Sequence, residues 1–262
     1  MHLIASGVAQ EDRDALASIV VEAAAEVAFY RFDADPVRHL LRSKRITHTA
    51  YSKLFLPEIL PESVSRCIWV DCDMLVEKDV AALWDQDLEG MLVGAVTNGS
   101  WREIAQIQHR LGLTDRRYFN SGLMVADLDA WRREDLTRTA LSAAEELGHK
   151  LVLHDQDALN WALQGRWLDL DRSWNVWHVD PDSAADSDQV VHFVGWPKPW
   201  HADYRGPFAG EFEAYLDRTP FSGLRPWDPM GMGRTFAELR RKLPYPPTVW
   251  RRARESIGQI LH

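Results

Sequence analysis

Short β-rich runs alternate with helical stretches along most of this chain, and that alternation narrows the fold more than any other feature. His2 to Ser6 reads as a strand, and Glu11 to Ala25 as a helix with Leu16, Ile19, Val20 and Ala23 at helical spacing. Glu26 to Phe32 alternates as a strand does, and Thr49 to Leu60 is helical with Pro57 as an interruption. Arg66 to Asp71, Met91 to Val96, Gly122 to Ala126 and Val190 to Val194 read as further strands. Between them lie helical patterns over Trp101 to Leu111, Leu128 to Leu147 and Asp155 to Leu163. Strand–helix alternation of this kind predicts a three-layer α/β/α fold around a mostly parallel, twisted sheet.

The chain has 262 residues, enough for one sizeable α/β core plus a tail. Proline and glycine crowd residues 220 to 233, which places a catalytic domain at 1–220 and a linker with a C-terminal tail at 221–262. The net charge of −9 argues against a nucleic-acid binder. Only Cys67 and Cys72 are present, so no disulfide framework is expected, and a reducing, cytoplasmic setting follows. No apolar run approaches the roughly 18 residues of a spanning helix. Asp180 to Asp188 resembles a calcium loop, but lacks the central Gly and the terminal Glu, so it reads as a solvated loop.

The chemistry gathers at strand ends. Asp71 and Asp73 close the run Cys67-Ile68-Trp69-Val70-Asp71-Cys72-Asp73. Residues i and i+2 of a strand point to one side, so the two carboxylates face together and Cys72 faces away. Two hard oxygen ligands suit a divalent cation that carries phosphates, and open α/β sheets bind ligands at the carboxyl ends of their strands. His192 closes a later strand and can complete an Asp, Asp, His set, which suits Mn²⁺ better than Mg²⁺. Past it come Gly195, which lets the backbone approach a ligand, and Lys198, held between Pro197 and Pro199 as a point charge for phosphate. Asn120, in Tyr118-Phe119-Asn120-Ser121-Gly122, can bond a sugar hydroxyl. In His154-Asp155-Gln156-Asp157 at least one of the two acids is expected to cap its helix.

In their order, these motifs resemble family 8 glycosyltransferases, the galactosyl-, glucosyl- and glycogenin-type enzymes with the GT-A fold. The matching elements are Asp71-Cys72-Asp73, Asn120-Ser121-Gly122, Asp155-Gln156-Asp157 and the block from His192 to Trp200. Thr49 to Leu54 resembles the family's helix before the metal strand, and the likeness runs over roughly residues 1 to 205. It implies a retaining transfer of a galactose or glucose from a UDP-sugar to a glycan or glycolipid acceptor, with Mn²⁺ or else Mg²⁺.

Carried over residue by residue, the resemblance gives the metal to Asp71, Asp73 and His192, and the diphosphate to Gly195 and Lys198. Lys53 stands where the family has a basic residue near the donor, most often Arg. Cys72, Asn120, Ser121, Asp155 and Gln156 join the donor site. Asp155 and Gln156 would be catalytic, with Gln156 near the anomeric carbon, stabilising a developing oxocarbenium ion. The resemblance also implies a strand–turn–helix unit of about thirty residues ahead of His2, by the length of a βα unit. This sequence does not carry it. A misplaced start codon, a fragment and a homologue with weakened donor binding all account for that.

Two other functions compete. A haloacid dehalogenase-type phosphatase also carries Asp-x-Asp after an apolar strand, but on its first strand rather than some 70 residues in. A non-catalytic binding protein descended from a transferase is the other. Trp174, Asn175, Trp177 and Trp200 are candidates for the acceptor side, with core packing as the alternative for each. Residues 234–262 hold six Arg and one Lys against Glu238 and Glu255, among apolar and aromatic residues. Such a helical basic tail suits peripheral contact with anionic lipid at the inner face of a membrane, near a lipid-linked acceptor.

Overall fold

The computed structural model describes residues 1–41, 47–97, 101–179 and 188–223. The calcium-like stretch falls almost wholly outside them, as do most of the linker and the whole basic tail. The chain divides into two compact units, Met1–Val194 and one opening at Gly195.

The first unit begins with β1 (His2–Ile4), α1 (Gln10–Glu22) and β2 (Ala28–Tyr30), and β1 pairs parallel to β2. A 3₁₀ helix over His48–Phe55 runs into the short α2 (Leu56–Ile59), whose first turn holds Pro57 where a missing N–H costs nothing. Then follow β3 (Arg66–Val70), β4 (Met74–Val76), α3 (Ala81–Trp84), β5 (Val93–Thr97), α4 (Trp101–Leu111) and β6 (Phe119–Asp127). The sequence predicts one helix from Leu128 to Leu147, but there are two, α5 (Leu128–Arg133) and α6 (Leu136–Leu147). Asp135 between them takes a left-handed φ of 51°, which ends the first helix. The unit closes with α7 (His154–Leu163), β7 (Trp167–Asp169), β8 (Val176–Trp177) and β9 (Val190–His192). Within the second unit, α8 spans Ala209–Leu216. Strands β4, β7 and β8 are too short to leave a periodic signal.

The sheets are mixed, a correction to the mostly parallel expectation. The main sheet has the order β3-β6-β5-β7, and β6 runs antiparallel to both neighbours. Of its pairs, β5–β7 alone is parallel. A second sheet, β4-β9-β8, joins an antiparallel pair to a parallel one. Alternation of strand and helix in a sequence does not encode strand direction, so this could not be read in advance.

β6 is the central strand and is buried along nearly its whole length. Its side chains alternate between two cores. Phe119, Met124 and Ala126 join the larger one with Leu54, Trp131, Leu159 and Trp167. Leu123 and Val125 join the other with Leu83, Leu170, Trp174 and Val190. A sheet covered on both faces is the three-layer α/β arrangement that the sequence predicts.

The pairing of β5 with β6 jumps, from Ala95 opposite Met124 to Val96 opposite Asn120. Residues 121–123 therefore bulge out of that ladder. Bulges re-aim side chains and often lie beside functional sites, and this one displays Asn120, Ser121 and Gly122.

Candidate active site

Asp71 follows directly on β3, and its N–H donates to the Gly122 carbonyl at 2.7 Å. Its carboxylate accepts from the Trp69 indole N–H at 2.7 Å and from Lys53 Nζ at 3.2 Å. Asp73 is placed by its backbone: its carbonyl accepts the Phe193 N–H, and Met74 beside it pairs with His192 across the β4–β9 ladder. His192 Nε2 lies 3.3 Å from Asp73 Oδ1. One ligand atom each from Asp71, Asp73 and His192 lie within 4.8 Å of one another. The three residues predicted to share a cation are thus brought together, and the chemistry of the set fits one. Two carboxylates carry the charge, and the imidazole turns a ring nitrogen toward them.

Gly122 makes room for this. A Cβ there would come within 2.4 Å of the His192 ring and 2.8 Å of Asn120 Oδ1. Only glycine lets β6 pass so close to the His192 imidazole.

Lys53 does not stand open toward a donor. It is buried, and its ammonium reaches Asp71, Asp155 at 3.1 Å, the Ser121 carbonyl at 3.2 Å and Ser121 Oγ at 3.1 Å. Burial works to lower its pKa, but the Asp155 and Asp71 carboxylates overcome it and hold Lys53 above its ordinary value. Burial raises the Asp155 carboxyl against the pull of Lys53, and Asp71 adds to the rise. The Lys53 direction governs the pair, because a single ammonium sits among two carboxylates. Lys53 is therefore the counter-charge that lets Asp71 and Asp155 share one buried corner.

Gln156 is buried, and its Oε1 accepts from Asn120 Nδ2 at 3.0 Å and from the Ser121 N–H at 3.1 Å. Its Nε2 lies near the Tyr118 hydroxyl but makes no hydrogen bond of its own. Ser121 Oγ donates to Asp155 at 3.1 Å. Asp157 is the helix-start acid. It accepts the N–H groups of Val152 and Leu153 at 2.7 and 3.0 Å, just ahead of α7, and meets Tyr118 and Arg110. Burial, with the Asp157 carboxylate, pushes the Tyr118 hydroxyl well up. His154 opens α7 at φ 40°, buried, with neither ring nitrogen hydrogen-bonded, and burial lowers its pKa.

Cys72 is exposed between the two acids. Gly195 and Lys198 open the second unit, where Gly195 takes a φ of 73°, a backbone that favours glycine. There the Lys198 N–H donates to His201 Nδ1 at 2.7 Å.

Of the two readings of Asn175, acceptor side or packing, the structure favours the second: it is buried and bonded to His192 and Asn120. Trp174 beside it belongs to the second core. No sequence signal marks Asn175, because its partners are distant along the chain.

A mixed α/β fold with two carboxylates and a histidine brought together is in keeping with the GT-A glycosyltransferases, and comparison with known proteins gives that class. Residues 1–204 match glycosyl transferase family 8, and the chain belongs to that family. It is accordingly a sugar-transferring enzyme. General stress protein A of Bacillus subtilis (strain 168) is 29% identical over 243 residues, 86% of this chain and 84% of that protein. Lipopolysaccharide 1,2-glucosyltransferase of Escherichia coli (strain K12) is 25% identical over 77% of this chain and 64% of its own length. Some relatives are much longer: the chain spans 38% of Glycosyltransferase GlyF of Streptococcus pneumoniae serotype 4. Among solved structures, the galactosyltransferase LgtC with donor and acceptor sugar analogues superposes with a TM-score of 0.71. It is 24% identical, and the match covers 88% of this chain and 87% of that one.

Proposed function

We propose that this enzyme moves a hexose, galactose or glucose, from a UDP-sugar to a glycan or lipid-linked acceptor with retention at the anomeric carbon. The observation that carries the reading is the convergence of Asp71, Asp73 and His192 in a chain of family 8. Those three residues would hold the cation, Mn²⁺ before Mg²⁺ given the imidazole. Bound there, it neutralises charge on a diphosphate leaving group. The relatives named as lipopolysaccharide glucosyltransferase and lipopolysaccharide galactosyltransferase support the hexose and the acceptor class.

The chain's own residues take the remaining roles. Gly195 and Lys198 are assigned to the diphosphate, where Lys198 supplies a point charge. Cys72, Asn120 and Ser121 belong to the donor site. Gln156 stands near the anomeric carbon, but its oxygen is already held by two donors. Asp155, buried beside Lys53, would share with Gln156 the electrostatic stabilisation of a developing oxocarbenium ion. Membership of family 8 leaves the phosphatase reading without support. Among the described residues no helix is long and apolar enough to cross a membrane.

The test is release of UDP from UDP-glucose and UDP-galactose with Mn²⁺, with the anomeric configuration of the freed sugar followed by NMR. Turnover of one of them with retention is expected. No turnover of either would favour a binding protein that has lost catalysis.

The basic stretch 234–262 supports a further reading, weak attachment to anionic membranes that brings the site to a lipid-linked acceptor. The full chain should sediment with anionic vesicles at low salt, while a chain ending at Pro229 should stay in solution. Equal sedimentation of the two would eliminate this reading.

A further inference from the structure

Four buried side chains from four segments of the first unit form one line of hydrogen bonds. His192 at the end of β9 meets Asn175 Oδ1 through Nδ1 at 3.1 Å. Asn175 Nδ2 donates to Asn120 Oδ1 at 2.8 Å. Asn120 Nδ2 donates to Gln156 Oε1 at 3.0 Å, on α7. The line thus runs from the ring of a candidate cation ligand to a candidate catalytic amide.

Its polarity is fixed from outside by two backbone groups. The Gly122 N–H donates to Asn120 Oδ1 at 2.9 Å, so that atom is an oxygen and an acceptor. The Ser121 N–H donates to Gln156 Oε1, so that atom is an acceptor too. An N–H cannot face an N–H in a buried hydrogen bond, so each amide along the line has one orientation. Asn175 must then turn its NH₂ to Asn120 and its oxygen to His192. An amide oxygen only accepts, so His192 Nδ1 carries the proton. The remaining ring nitrogen, Nε2, is the one left to face a cation, and it lies beside Asp73.

We propose that Asn175 is a positioning residue of this enzyme: it holds His192 in the Nδ1–H tautomer, with Nε2 presented for cation ligation. It also ties that ligand to Asn120 and Gln156. The reasoning is that of any ligating histidine, whose far nitrogen needs a partner to fix tautomer and ring angle. Gly122 supports it from the other side, since a Cβ there would lie 2.8 Å from His192 Nδ1. The ring is thus held by shape and by one hydrogen bond. The inference rests on reading Asp71, Asp73 and His192 as a cation site.

Two variants separate polarity from packing. Asn175→Leu keeps the bulk and removes the acceptor. Asn175→Asp keeps an oxygen for His192 Nδ1–H but loses the donor to Asn120. The tautomer is read without metal, by long-range ¹H–¹⁵N correlation NMR of ¹⁵N-histidine-labelled protein at mildly alkaline pH. The His192 signal is assigned by its loss in His192→Gln. The parent and Asn175→Asp should show Nδ1 protonated, and Asn175→Leu a shift toward Nε2–H. Mn²⁺ affinity, measured by electron paramagnetic resonance, should fall about 10- to 100-fold in Asn175→Leu, the scale on which such outer partners act. In Asn175→Asp it should change by much less. A parent with Nε2 protonated would overturn the proposal. So would a folded Asn175→Leu with parental tautomer and parental Mn²⁺ affinity. Should Asn175→Leu not fold, the tautomer in the parent and in Asn175→Asp decides. A parent that binds no Mn²⁺ would defeat the cation reading, and the tautomer comparison would still judge Asn175.

Discussion

Asp73→Ala should reduce sugar transfer by about 10³-fold or more while leaving the protein folded. A bound cation stabilises leaving-group charge by several kcal/mol, and about 4 kcal/mol is roughly a thousandfold in rate. The backbone link at this position is spared, because the carbonyl of residue 73 receives the Phe193 N–H and alanine keeps that bond. Asp71→Ala should lose as much activity but be a less clean variant. Its carboxylate also takes the Trp69 indole N–H and one of the contacts of the buried Lys53, and alanine would remove both. Transfer assays beside circular dichroism and thermal melts check both. An Asp73→Ala protein with parental, Mn²⁺-dependent turnover would remove the site assignment.

Asp157→Ala should be the most destabilising of the substitutions at the start of α7. Asp157 is fully buried and holds Tyr118 Oη at 2.5 Å, Arg110 at 3.0 Å and two backbone N–H groups. Alanine takes the acceptor from the buried Tyr118 hydroxyl, from two part-buried amides and from Arg110, whose side chain is 30% exposed. Each such buried group costs about 1–3 kcal/mol, and breaking a buried pair about 3–5 kcal/mol. For a chain of this size about 4 kcal/mol lowers the melting temperature by roughly 8–16 °C. Thermal unfolding followed by circular dichroism measures it. A melting temperature within about 2 °C of the parent, a shift worth under 1 kcal/mol, would show that these bonds contribute little.

The two helix-start acids show what the sequence could and could not tell. That one of them caps was legible, since acids at a helix N-terminus commonly do. Which one was not, because the choice depends on Tyr118 and Arg110, some 40 residues earlier. Asp71 and Asp73 were legible as a pair, but not through strand spacing, since they lie in the turn between β3 and β4 rather than on one strand. His192 joined them through its place at a strand end. Lys53 was found by its position, but its setting was not legible: a sequence shows a lysine, not the two carboxylates that enclose it. Asn175 was missed as a support because its two hydrogen bonds span 17 and 55 residues. The reversal of β6 went unseen for the same reason, since strand direction is settled by pairing between distant segments.

The central claim is that Asp71, Asp73 and His192 hold a divalent cation through which the chain binds a nucleoside diphosphate. Isothermal titration calorimetry of UDP, with Mn²⁺ and then with EDTA, tests it most directly. The account predicts UDP binding with Mn²⁺ and a loss of at least about tenfold in affinity, 1.4 kcal/mol, once the cation is removed. Equal affinity under the two conditions, or no UDP binding with Mn²⁺ present, would contradict it.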